Sequence, residues 1–250
     1  MQYGICNLNI VPVRLEAADA SEMVTQLLYG DHFKVLEKRK NWSKIRIAFD
    51  AYEGWIDNKQ YLDIEENTYQ QLQEQPGNYV SDLVEFAISN TNSLLPVCLG
   101  ANIAAAKLLE NNYDGRSLTG VKNRTSILET AMLYMNAPYL WGGKSPFGID
   151  CSGLTQMVYK LNGYSLFRDA SQQAKQGEAL SFIEESAAGD LAFFDNNEGE
   201  IIHVGIIMPD NYIVHAHGKV RIDRLDHSGI FNSDTKRYTH NLRVIKKIID

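Results

Sequence analysis

The sequence predicts an α+β protein of two domains, a small β-barrel followed by a helix packed on an antiparallel sheet. Runs in which polar and apolar residues alternate, such as Lys44-Ile45-Arg46-Ile47, indicate half-buried strands in the first half. An apolar stripe at helical spacing starts just after Cys151, and strand-like apolar runs follow residue 189. A chain of 250 residues suits two modest domains, which we place at residues 1–115 and 116–250.

The first domain is predicted mainly from strand-like runs between Ile10 and Ile64, which turn-prone residues separate. A polar, glutamine-rich stretch and the turn signal Pro76-Gly77 follow the predicted barrel. Val80 to Ala87 has the pattern of a short helix, and Leu94 to Ile103 has that of a further strand. The loop-like segment 111–116 sets the domain boundary.

Capping patterns and apolar periodicity predict the helices and strands of the second domain. Ser126 followed by Glu129 fits a capping box at the start of one helix. A second helix carries Cys151 in its first turn and ends at Asn162-Gly163, a pair that favours helix termination. The predicted strands are Leu191-Ala-Phe-Phe, Ile201 to Met208, Tyr212 to His217 and Arg243 to Ile249.

Composition and charge argue against several classes of function. The formal net charge is −7 and the longest basic run is Lys38-Arg39-Lys40, so a nucleic-acid-binding surface is not expected. No apolar stretch is long enough to span a bilayer, so we expect no membrane partner. The N-terminus lacks a basic flank followed by an apolar run, which predicts a cytoplasmic location, or a secreted or periplasmic one if a leader has been removed.

Cys151 is the candidate nucleophile. The chain has three cysteines at wide spacing, which does not resemble a disulfide framework, and apolar neighbours around Cys6 and Cys98 indicate buried thiols. At the start of a helix, backbone amides and a nearby imidazolium lower the pKa of a thiol, and the thiolate is the nucleophilic form. We therefore expect Cys151 to be activated in this way.

Of six histidines, His203, His215 and His217 lie close together on predicted neighbouring strands. A histidine on a sheet beside a cysteine at a helix start is typical of thiol peptidases, with His203 as the base. Spacing leaves open whether His215 or His217 orients His203, and the same three residues could instead hold zinc in a hydrolase. The other histidines, His32, His227 and His240, lie in polar contexts and are expected to titrate in solvent.

Motifs in the second domain resemble those of the NlpC-type cell-wall peptidases, a papain-like group of cysteine peptidases. The motifs occur in the family's order and comprise Tyr139-Leu-Trp-Gly-Gly, Asp150-Cys-Ser-Gly-Leu, Arg168-Asp-Ala, Gly189-Asp-Leu-Ala-Phe-Phe and His203-Val-Gly-Ile. The resemblance covers about residues 120–250. The first domain looks similar to a bacterial SH3-like barrel through Ala51-Tyr-Glu-Gly-Trp-Ile.

The resemblance implies catalytic residues and a substrate class. Catalysis is assigned to Cys151 and His203, with His215 rather than His217 as the third polar residue. The family cleaves peptidoglycan stem peptides after γ-D-glutamate, before diaminopimelate or lysine, which implies a peptide partner with a free N-terminal L-Ala. The resemblance also implies hydrolysis in murein recycling or remodelling. The predicted substrate-binding residues are Tyr139, Asp150, Ser152, Asp169, Asp50 and Tyr52.

No cofactor or metal is expected for such a peptidase, and we predict a monomer. Two features depart from the family pattern: Phe167 stands where relatives often have proline, and a long segment separates Glu65 from Arg116. A second class of function also fits the sequence, namely a wall-peptide binding module whose catalytic half is inert.

Overall fold

The computed structural model describes residues 2–249, which fold into two compact units. The first unit ends at Val121 and also includes Trp141–Pro146, and the second contains the remaining residues. The first unit thus continues past the boundary predicted near residue 115. The reason is that the strand Ser117–Thr119 pairs with Asn78–Val80, which holds the connecting segment on the first unit.

The first unit is built almost entirely from short antiparallel strands. Among the described residues, the first seven strands form one sheet in the order β3-β2-β6-β5-β4-β1-β7. Their bounds are β1 (Gln2–Ile5), β2 (Ile10–Arg14), β3 (Met23–Leu28), β4 (His32–Lys38), β5 (Trp42–Ile47), β6 (Glu53–Asp57) and β7 (Leu62–Ile64). The alternating pattern predicted for residues 44–47 is confirmed in β5, where Ile45 and Ile47 are buried and Arg46 is exposed.

This sheet surrounds one apolar core, as an SH3-like barrel requires. Buried side chains from β2, β3, β4, β5 and β6 belong to the same cluster, so the sheet must curl around them. The fully buried members are Cys6, Val11, Val13, Leu27, Phe33, Ile45 and Ile56. Cys98, in the same unit, is also fully buried, so the prediction of buried thiols at Cys6 and Cys98 is confirmed.

The segment after the barrel adds a helix and further strands. Its elements are α1 (Glu66–Glu74), β8 (Asn78–Val80), β9 (Val84–Ser89), β10 (Leu94–Cys98), β11 (Asn111–Tyr113) and β12 (Ser117–Thr119). A short 3-10 helix, Ile103–Ala105, lies between β10 and β11. The prediction of a strand after Leu94 is confirmed. The predicted helix at 80–87 is wrong, because Val84–Ser89 pairs with both β10 and β11 as the central strand of a small sheet.

The segment Trp141–Pro146 packs on the first unit through side-chain hydrogen bonds. Trp141 Nε1 donates to Glu22 Oε1 at 2.6 Å, and the backbone N–H of Lys144 donates to Gln26 Oε1 at 2.8 Å. This segment contains the strand β13 (Lys144–Ser145). The motif Tyr139-Leu-Trp-Gly-Gly is therefore divided between the units, because Trp141 and the two glycines after it belong to the first unit and Tyr139 belongs to the second.

The second unit contains helices at its start and strands toward its end. Its helices are α2 (Arg124–Met132), α3 (Cys151–Leu161) and α4 (Ala170–Gln173). Its strands are β14 (Gly148–Ile149), β15 (Glu178–Leu180), β16 (Leu191–Asp195), β17 (Ile201–Met208), β18 (Tyr212–His217), β19 (Lys219–Asp226), β20 (Gly229–Asn232) and β21 (Arg237–Lys247). Short 3-10 helices lie at Ile183–Glu185 and Pro209–Asn211. Nowhere in residues 2–249 is a helix long and apolar enough to cross a membrane.

The strands of the second unit form an antiparallel sheet that closes on itself. Across the described residues, its order is β15-β21-β16-β17-β18-β19-β20, and β21 pairs in addition with β20. The closure is possible because β21 is long: its first half pairs with β20 and its second half with β16 and β15. The predicted strands at 191–194, 201–208 and 212–217 are confirmed, and the last strand begins at Arg237, earlier than predicted. The described chain is rich in strands and has few helices, so the α+β class stays a prediction.

Two helix starts in this unit are capped by side chains. Helix α3 begins at Cys151, as predicted, because the carboxylate of Asp150 accepts a hydrogen bond from the backbone N–H of Gly153 at 2.6 Å. It ends before Asn162, and Gly163 adopts a left-handed φ of +84° that favours glycine. Helix α2 is capped by Asn123 rather than by the predicted Ser126, whose backbone N–H donates to the Asn123 side chain.

Gly205 provides a test of the packing between β17 and β18. It pairs directly with His215, and a Cβ atom at Gly205 would lie 2.7 Å from Ile213 Cδ1 and 3.0 Å from His215 Cβ. We expect Gly205→Ala to lower the free energy of unfolding by about 1–3 kcal/mol, measured by urea denaturation, because the buried site has no room for a methyl group.

The double variant Gly205→Ala with Ile213→Ala is the matched control for this steric explanation. Removing Cδ1 and Cγ1 of Ile213 relieves the two closest contacts, at 2.7 and 2.8 Å, so the double variant should lose less stability than the two single variants added together. Additive losses would show that the contact between these residues does not cause the destabilisation.

Candidate active site

Cys151 occupies the first turn of α3, where the helix packs against β17. Its side chain is nearly buried, with 6% of the residue exposed. The sulfur is hydrogen-bonded by backbone groups of Val204 and Ser152. Because Val204 directly follows His203, this contact places the thiol at the strand that carries the predicted base.

A buried ion pair anchors the helix start. Both carboxylate oxygens of Asp150 accept hydrogen bonds from Arg168, with distances of 3.0 Å from Nη1 and 2.6 Å from Nη2. Arg168 Nη1 also donates to Ser152 Oγ at 3.0 Å. Arg168 is 1% exposed, so the bidentate pairing with Asp150 compensates much of the cost of burying its charge. Asp150 and Ser152, which flank Cys151, are thereby held in fixed positions.

His203 and His215 are joined by a direct hydrogen bond across β17 and β18. The distance from His203 Nε2 to His215 Nδ1 is 2.8 Å. Gly205 pairs with His215, and position 203 is two residues before Gly205, so the side chains of His203 and His215 lie on the same face of the sheet. His217 lies on this face as well, but it is exposed and stacks beside His215 with ring centroids 6.1 Å apart. The structure thus brings His215, rather than His217, to His203.

A carboxylate lies on the far side of His215. Asp223 Oδ2 is 3.0 Å from His215 Nε2, and both side chains are almost completely buried. Arg221 makes a bidentate contact with this carboxylate, from Nε to Oδ2 at 2.7 Å and from Nη2 to Oδ1 at 2.9 Å. The Arg221 guanidinium also pairs with Asp234 at 2.8 Å. A continuous polar chain therefore runs from His203 through His215 to Asp223 and Arg221.

His240 covers the ring of His203, which corrects the prediction that it titrates in solvent. The two imidazoles are stacked with centroids 4.0 Å apart and an angle of 21° between their planes. The edge of the Phe194 ring packs near both of them. His240 is only partly exposed because β21 closes the sheet against β20. Of the other two histidines in that prediction, His32 is also half-buried, against the Tyr69 ring, whereas His227 is exposed.

The grouping of imidazoles raises the question of a metal site. His203, His215 and His240 can each present a ligand atom, and these atoms lie within 4.8 Å of one another. Zinc bound at about 2.0–2.1 Å requires the lone pairs of its ligands to converge on one point. The stacked rings of His203 and His240 direct their lone pairs in nearly parallel planes. This arrangement suits ring contact better than coordination, and it differs from the predicted zinc set, which contained His217.

Burial determines the charge state of the reactive groups. Burial first and the nearby Asp150 carboxylate second raise the pKa of Cys151 to about 12, against the opposing hydrogen bonds from the Val204 and Ser152 backbone. Burial likewise lowers the pKa of His203 well below its ordinary value, as does the proximity of His240 and His215. The expectation of a lowered thiol pKa is therefore wrong for this structure. At neutral pH both groups are uncharged, as a thiol beside a neutral imidazole.

The predicted substrate-binding residues of the second unit lie around the helix start. Burial, together with the nearby Cys151 and Asp150, raises the pKa of Tyr139 to about 12, which places its phenol near the thiol. Tyr139 retains 36% exposure and so can meet a ligand. Asp169 precedes the helix Ala170–Gln173, next in sequence to Arg168, and its backbone N–H donates to Gln172 Oε1 at 3.3 Å.

The predicted residues of the first unit, Asp50 and Tyr52, occupy a tight turn. Asp50 Oδ1 accepts a hydrogen bond from the backbone N–H of Tyr52 at 3.0 Å, and Ala51 between them has a left-handed φ of 59°. Asp50 is 9% exposed, and the Tyr52 ring packs against the barrel core. Both residues thus contribute to the local structure of this turn, and their predicted contact with substrate stays a prediction.

Three residues of the site were missed or undervalued at the level of sequence. Arg168 lies inside a recognised motif, but its apolar neighbours Leu166 and Phe167 gave no sign of a buried charge pair. Asp223 stands in the run Arg221-Ile-Asp-Arg, which is typical of a solvent-facing strand. His240 lies beyond a bulge that shifts the register between β20 and β21, so alternation along the sequence could not assign its face.

Alkylation of Cys151 tests the charge state derived above. Iodoacetamide reacts with the thiolate, and a thiol with a raised pKa gains thiolate about tenfold per pH unit across the accessible range. We expect the rate of modification, followed by intact mass, to rise about tenfold per unit from about pH 6 to 9 without a plateau.

The Cys151→Ala variant serves as the control for modification of the two buried thiols, Cys6 and Cys98. It should remain largely unmodified over the same period. A rate that is already constant below about pH 7 would indicate a preformed thiolate–imidazolium pair and would contradict the neutral resting state.

Comparisons with family models match both units. Residues 136–240 match the model of the NlpC/P60 family, and residues 13–60 match the model of the bacterial dipeptidyl-peptidase SH3 domain. The first of these ranges contains Cys151, His203, His215 and His240.

The relatives that this chain resembles include enzymes from species of Bacillus and Lysinibacillus. The chain is 27% identical over 235 residues to a γ-D-glutamyl-L-lysine dipeptidyl-peptidase of Bacillus cereus, covering 81% of this chain and 70% of the relative. It is 28% identical over 245 residues to dipeptidyl-peptidase 6 of Lysinibacillus sphaericus, covering 82% and 85%. A 92-residue segment is 44% identical to the Bacillus subtilis γ-D-glutamyl-L-lysine dipeptidyl-peptidase, but it covers only 36% of this chain and 31% of that enzyme.

Solved structures support the fold. An NlpC/P60 family protein from Bacillus cereus superimposes with a TM-score of 0.78 at 18% identity, covering 99% of this chain and 100% of that one. An NlpC/P60 endopeptidase from Photobacterium damselae gives a TM-score of 0.68 at 15% identity, covering 97% and 70%. The chain therefore carries a papain-like NlpC/P60 domain preceded by a bacterial SH3 domain, the pair of domains that its motifs resemble.

Proposed function

We propose that this protein is a cysteine endopeptidase that hydrolyses the γ-D-glutamyl–diamino acid bond of peptidoglycan stem peptides. The observation that carries the proposal is the placement of the Cys151 thiol at the start of α3, hydrogen-bonded by the backbone next to His203. The hydrogen bond from His203 to His215 supplies the orienting partner that such a base requires.

Catalysis starts from the uncharged pair of thiol and imidazole. As the sulfur of Cys151 bonds to the scissile carbonyl carbon, the thiol proton passes to His203, which becomes an imidazolium. His203 then gives this proton to the departing amine as the C–N bond breaks, and leaves an acyl-enzyme. Water, deprotonated by the same imidazole, releases the acyl group and restores the thiol.

The helix start is suited to the charge that develops on the substrate. Backbone N–H groups in the first turn of α3 point away from the helix body and can stabilise the oxyanion of the tetrahedral intermediate. The Asp150–Arg168 pair keeps this turn rigid, so little reorganisation is needed during the reaction.

The substrate class rests on the relatives and on the motifs. Two of the relatives are named for cleavage after γ-D-glutamate before L-lysine. We extend the proposal to γ-D-Glu-meso-diaminopimelate, because both diamino acids present an α-amine to the departing side of the bond. A preference for a free N-terminal L-Ala is part of the proposal and rests on the resemblance alone.

The setting of the reaction is also proposed rather than observed. A cytoplasmic monomer that acts on stem peptides would serve murein recycling, whereas the same chemistry outside the cell would remodel the wall. The packing of helix α3 on β17 supports the α+β papain-like class for the catalytic unit.

Cleavage of defined peptides tests the proposal. The substrates are L-Ala-γ-D-Glu-diaminopimelate and L-Ala-γ-D-Glu-L-Lys, each with a free and an acetylated N-terminus, and products are followed by mass spectrometry. We expect release of the diamino acid from the free peptides. Cys151→Ala should lower kcat/KM by at least about 1000-fold, because the nucleophile is lost.

Cys98→Ala is the matched control, since Cys98 is also a buried thiol but lies in the first unit. This variant should cleave like the parent protein. Equal cleavage of the acetylated peptides would contradict only the preference for a free N-terminal amine. Undiminished cleavage by Cys151→Ala would refute the proposed cysteine peptidase, and so would the absence of any cleavage by the parent protein.

The ring of His240 provides a second test of the site. Burial, together with the nearby His215 and His217, lowers the pKa of His240 to about 3, so it covers His203 as a neutral ring at neutral pH. A neutral aromatic face stabilises an imidazolium stacked on it. We expect His240→Ala to reduce kcat/KM about tenfold, or about 1.4 kcal/mol, and His240→Phe to retain most of the activity.

The control for this pair is the exposed His227, whose replacement by alanine should leave kcat/KM unchanged. If the phenylalanine variant is as impaired as the alanine variant, the imidazole of His240 acts through its nitrogens and the ring-contact explanation is wrong.

A further inference from the structure

The hydrogen bonds along the polar chain from His203 to Asp223 determine which ring nitrogens of the two histidines carry protons. Asp223 Oδ2 lies 3.0 Å from His215 Nε2, in a region where both side chains are almost completely buried. A carboxylate can only accept a hydrogen bond, so the proton of a neutral His215 must be on Nε2. If Nε2 lacked the proton, two lone pairs would face each other without solvent between them.

The position of this proton determines the next one along the chain. With its proton on Nε2, His215 presents a lone pair at Nδ1, which is 2.8 Å from His203 Nε2. His203 must therefore donate from Nε2, and its own Nδ1 is left with the lone pair. Each imidazole is thus held in one tautomer by the group behind it.

Arg221 keeps Asp223 in the ionised form that this chain requires. Its bidentate contacts, at 2.7 and 2.9 Å, reach both oxygens of the carboxylate, of which Oδ2 also accepts from His215. Burial acts to raise the pKa of Asp223, but the hydrogen bonds from His215 and Arg221 outweigh it and hold the pKa below its ordinary value. Arg221 is itself fixed by Asp234. The rings of His217 and His240 also face the two imidazoles.

We propose that Asp223 is a positioning residue which, held by Arg221, fixes the tautomers of His215 and His203 and so makes Nδ1 of His203 the basic nitrogen of the site. The consequence for the reaction rests on the proposed function, because a base at Nδ1 takes the proton of Cys151. The tautomers themselves follow from the hydrogen-bond geometry alone.

Replacement of Asp223 by asparagine should disturb the tautomers while keeping the size of the side chain. Oδ2 of Asp223 accepts from both His215 Nε2 and Arg221 Nε, and Oδ1 accepts from Arg221 Nη2. In either orientation an asparagine amide would point its N–H groups at an Arg221 donor, so no arrangement satisfies Arg221 and holds the His215 proton on Nε2 as firmly as the carboxylate does. We expect Asp223→Asn to lower kcat/KM for L-Ala-γ-D-Glu-diaminopimelate by at least about tenfold, because a smaller fraction of His203 presents a lone pair at Nδ1.

Alanine at the same position removes the acceptor altogether. In Asp223→Ala neither tautomer of His215 is enforced, so kcat/KM should fall at least as far as with asparagine. Asp210→Asn is the matched control, because Asp210 is exposed and lies in the turn between β17 and β18 with a φ of 59° that asparagine accepts readily.

A spectroscopic measurement tests the tautomers without any substrate. In ¹⁵N-histidine-labelled protein at about pH 8, long-range ¹H–¹⁵N correlations distinguish a protonated from an unprotonated ring nitrogen. We expect Nε2–H forms for both His203 and His215 in the parent protein and in Asp210→Asn. We expect a mixture of Nδ1–H and Nε2–H forms for both in Asp223→Asn.

These outcomes separate failure of the proposal from failure of the proposed function. A His215 in the Nδ1–H form in the parent protein would overturn the proposal even if the peptide is cleaved. So would an Asp223→Asn protein that is as active as Asp210→Asn. If the parent protein has the expected tautomers but cleaves none of the peptides, the proposed role of Asp223 in fixing the tautomers is supported and the proposed peptidase activity is refuted. A variant that fails to fold leaves the parent spectrum as the deciding measurement.

Discussion

The register between β17 and β18 is the constraint on which the rest of the site depends. It is set at the turn Pro209–Asn211, where Asp210 and Asn211 both adopt left-handed backbone conformations. The pairing of Gly205 with His215 follows, and the absence of a side chain at Gly205 leaves room for the Ile213 side chain and the Cβ of His215. A slip by one residue would turn His215 to the opposite face and break its hydrogen bond with His203.

From this register the polar groups of the candidate active site extend in two directions. Toward the helix, the backbone at Val204 contacts the Cys151 sulfur, and the Asp150–Arg168 pair fixes the first turn of α3. Toward the far side, Asp223 and Arg221 lie on β19, which pairs with β18. A helix cap and a neighbouring strand thus hold the two ends of one chain of polar contacts, and burial keeps its reactive members uncharged until a substrate arrives.

Closure of the sheet accounts for the environment of the base. Because β21 pairs with β20 at one end and with β16 at the other, His240 is brought over the ring of His203. The same closure forms a core that includes Ala192, Phe194, Ile213 and Ile230. Structural stability and shielding of the active-site imidazole therefore depend on the same strands.

Local features of this protein can be predicted from its sequence alone. Period-two alternation indicates β5, the pair Asn162-Gly163 indicates the end of α3, and the order of the motifs predicts Cys151, His203 and His215 as the catalytic residues. Each of these signals lies within a few residues of the feature that it predicts. Only the tertiary structure decided that the segment at 84–89 is a strand, that Arg168 pairs with Asp150, and that Asp223 and His240 join the histidines. The tertiary structure also decides the charge state of Cys151, because the burial of a side chain depends on which distant strands close over it. That closure could not be predicted from the sequence, because a bulge in β21 interrupts the alternation of buried and exposed residues.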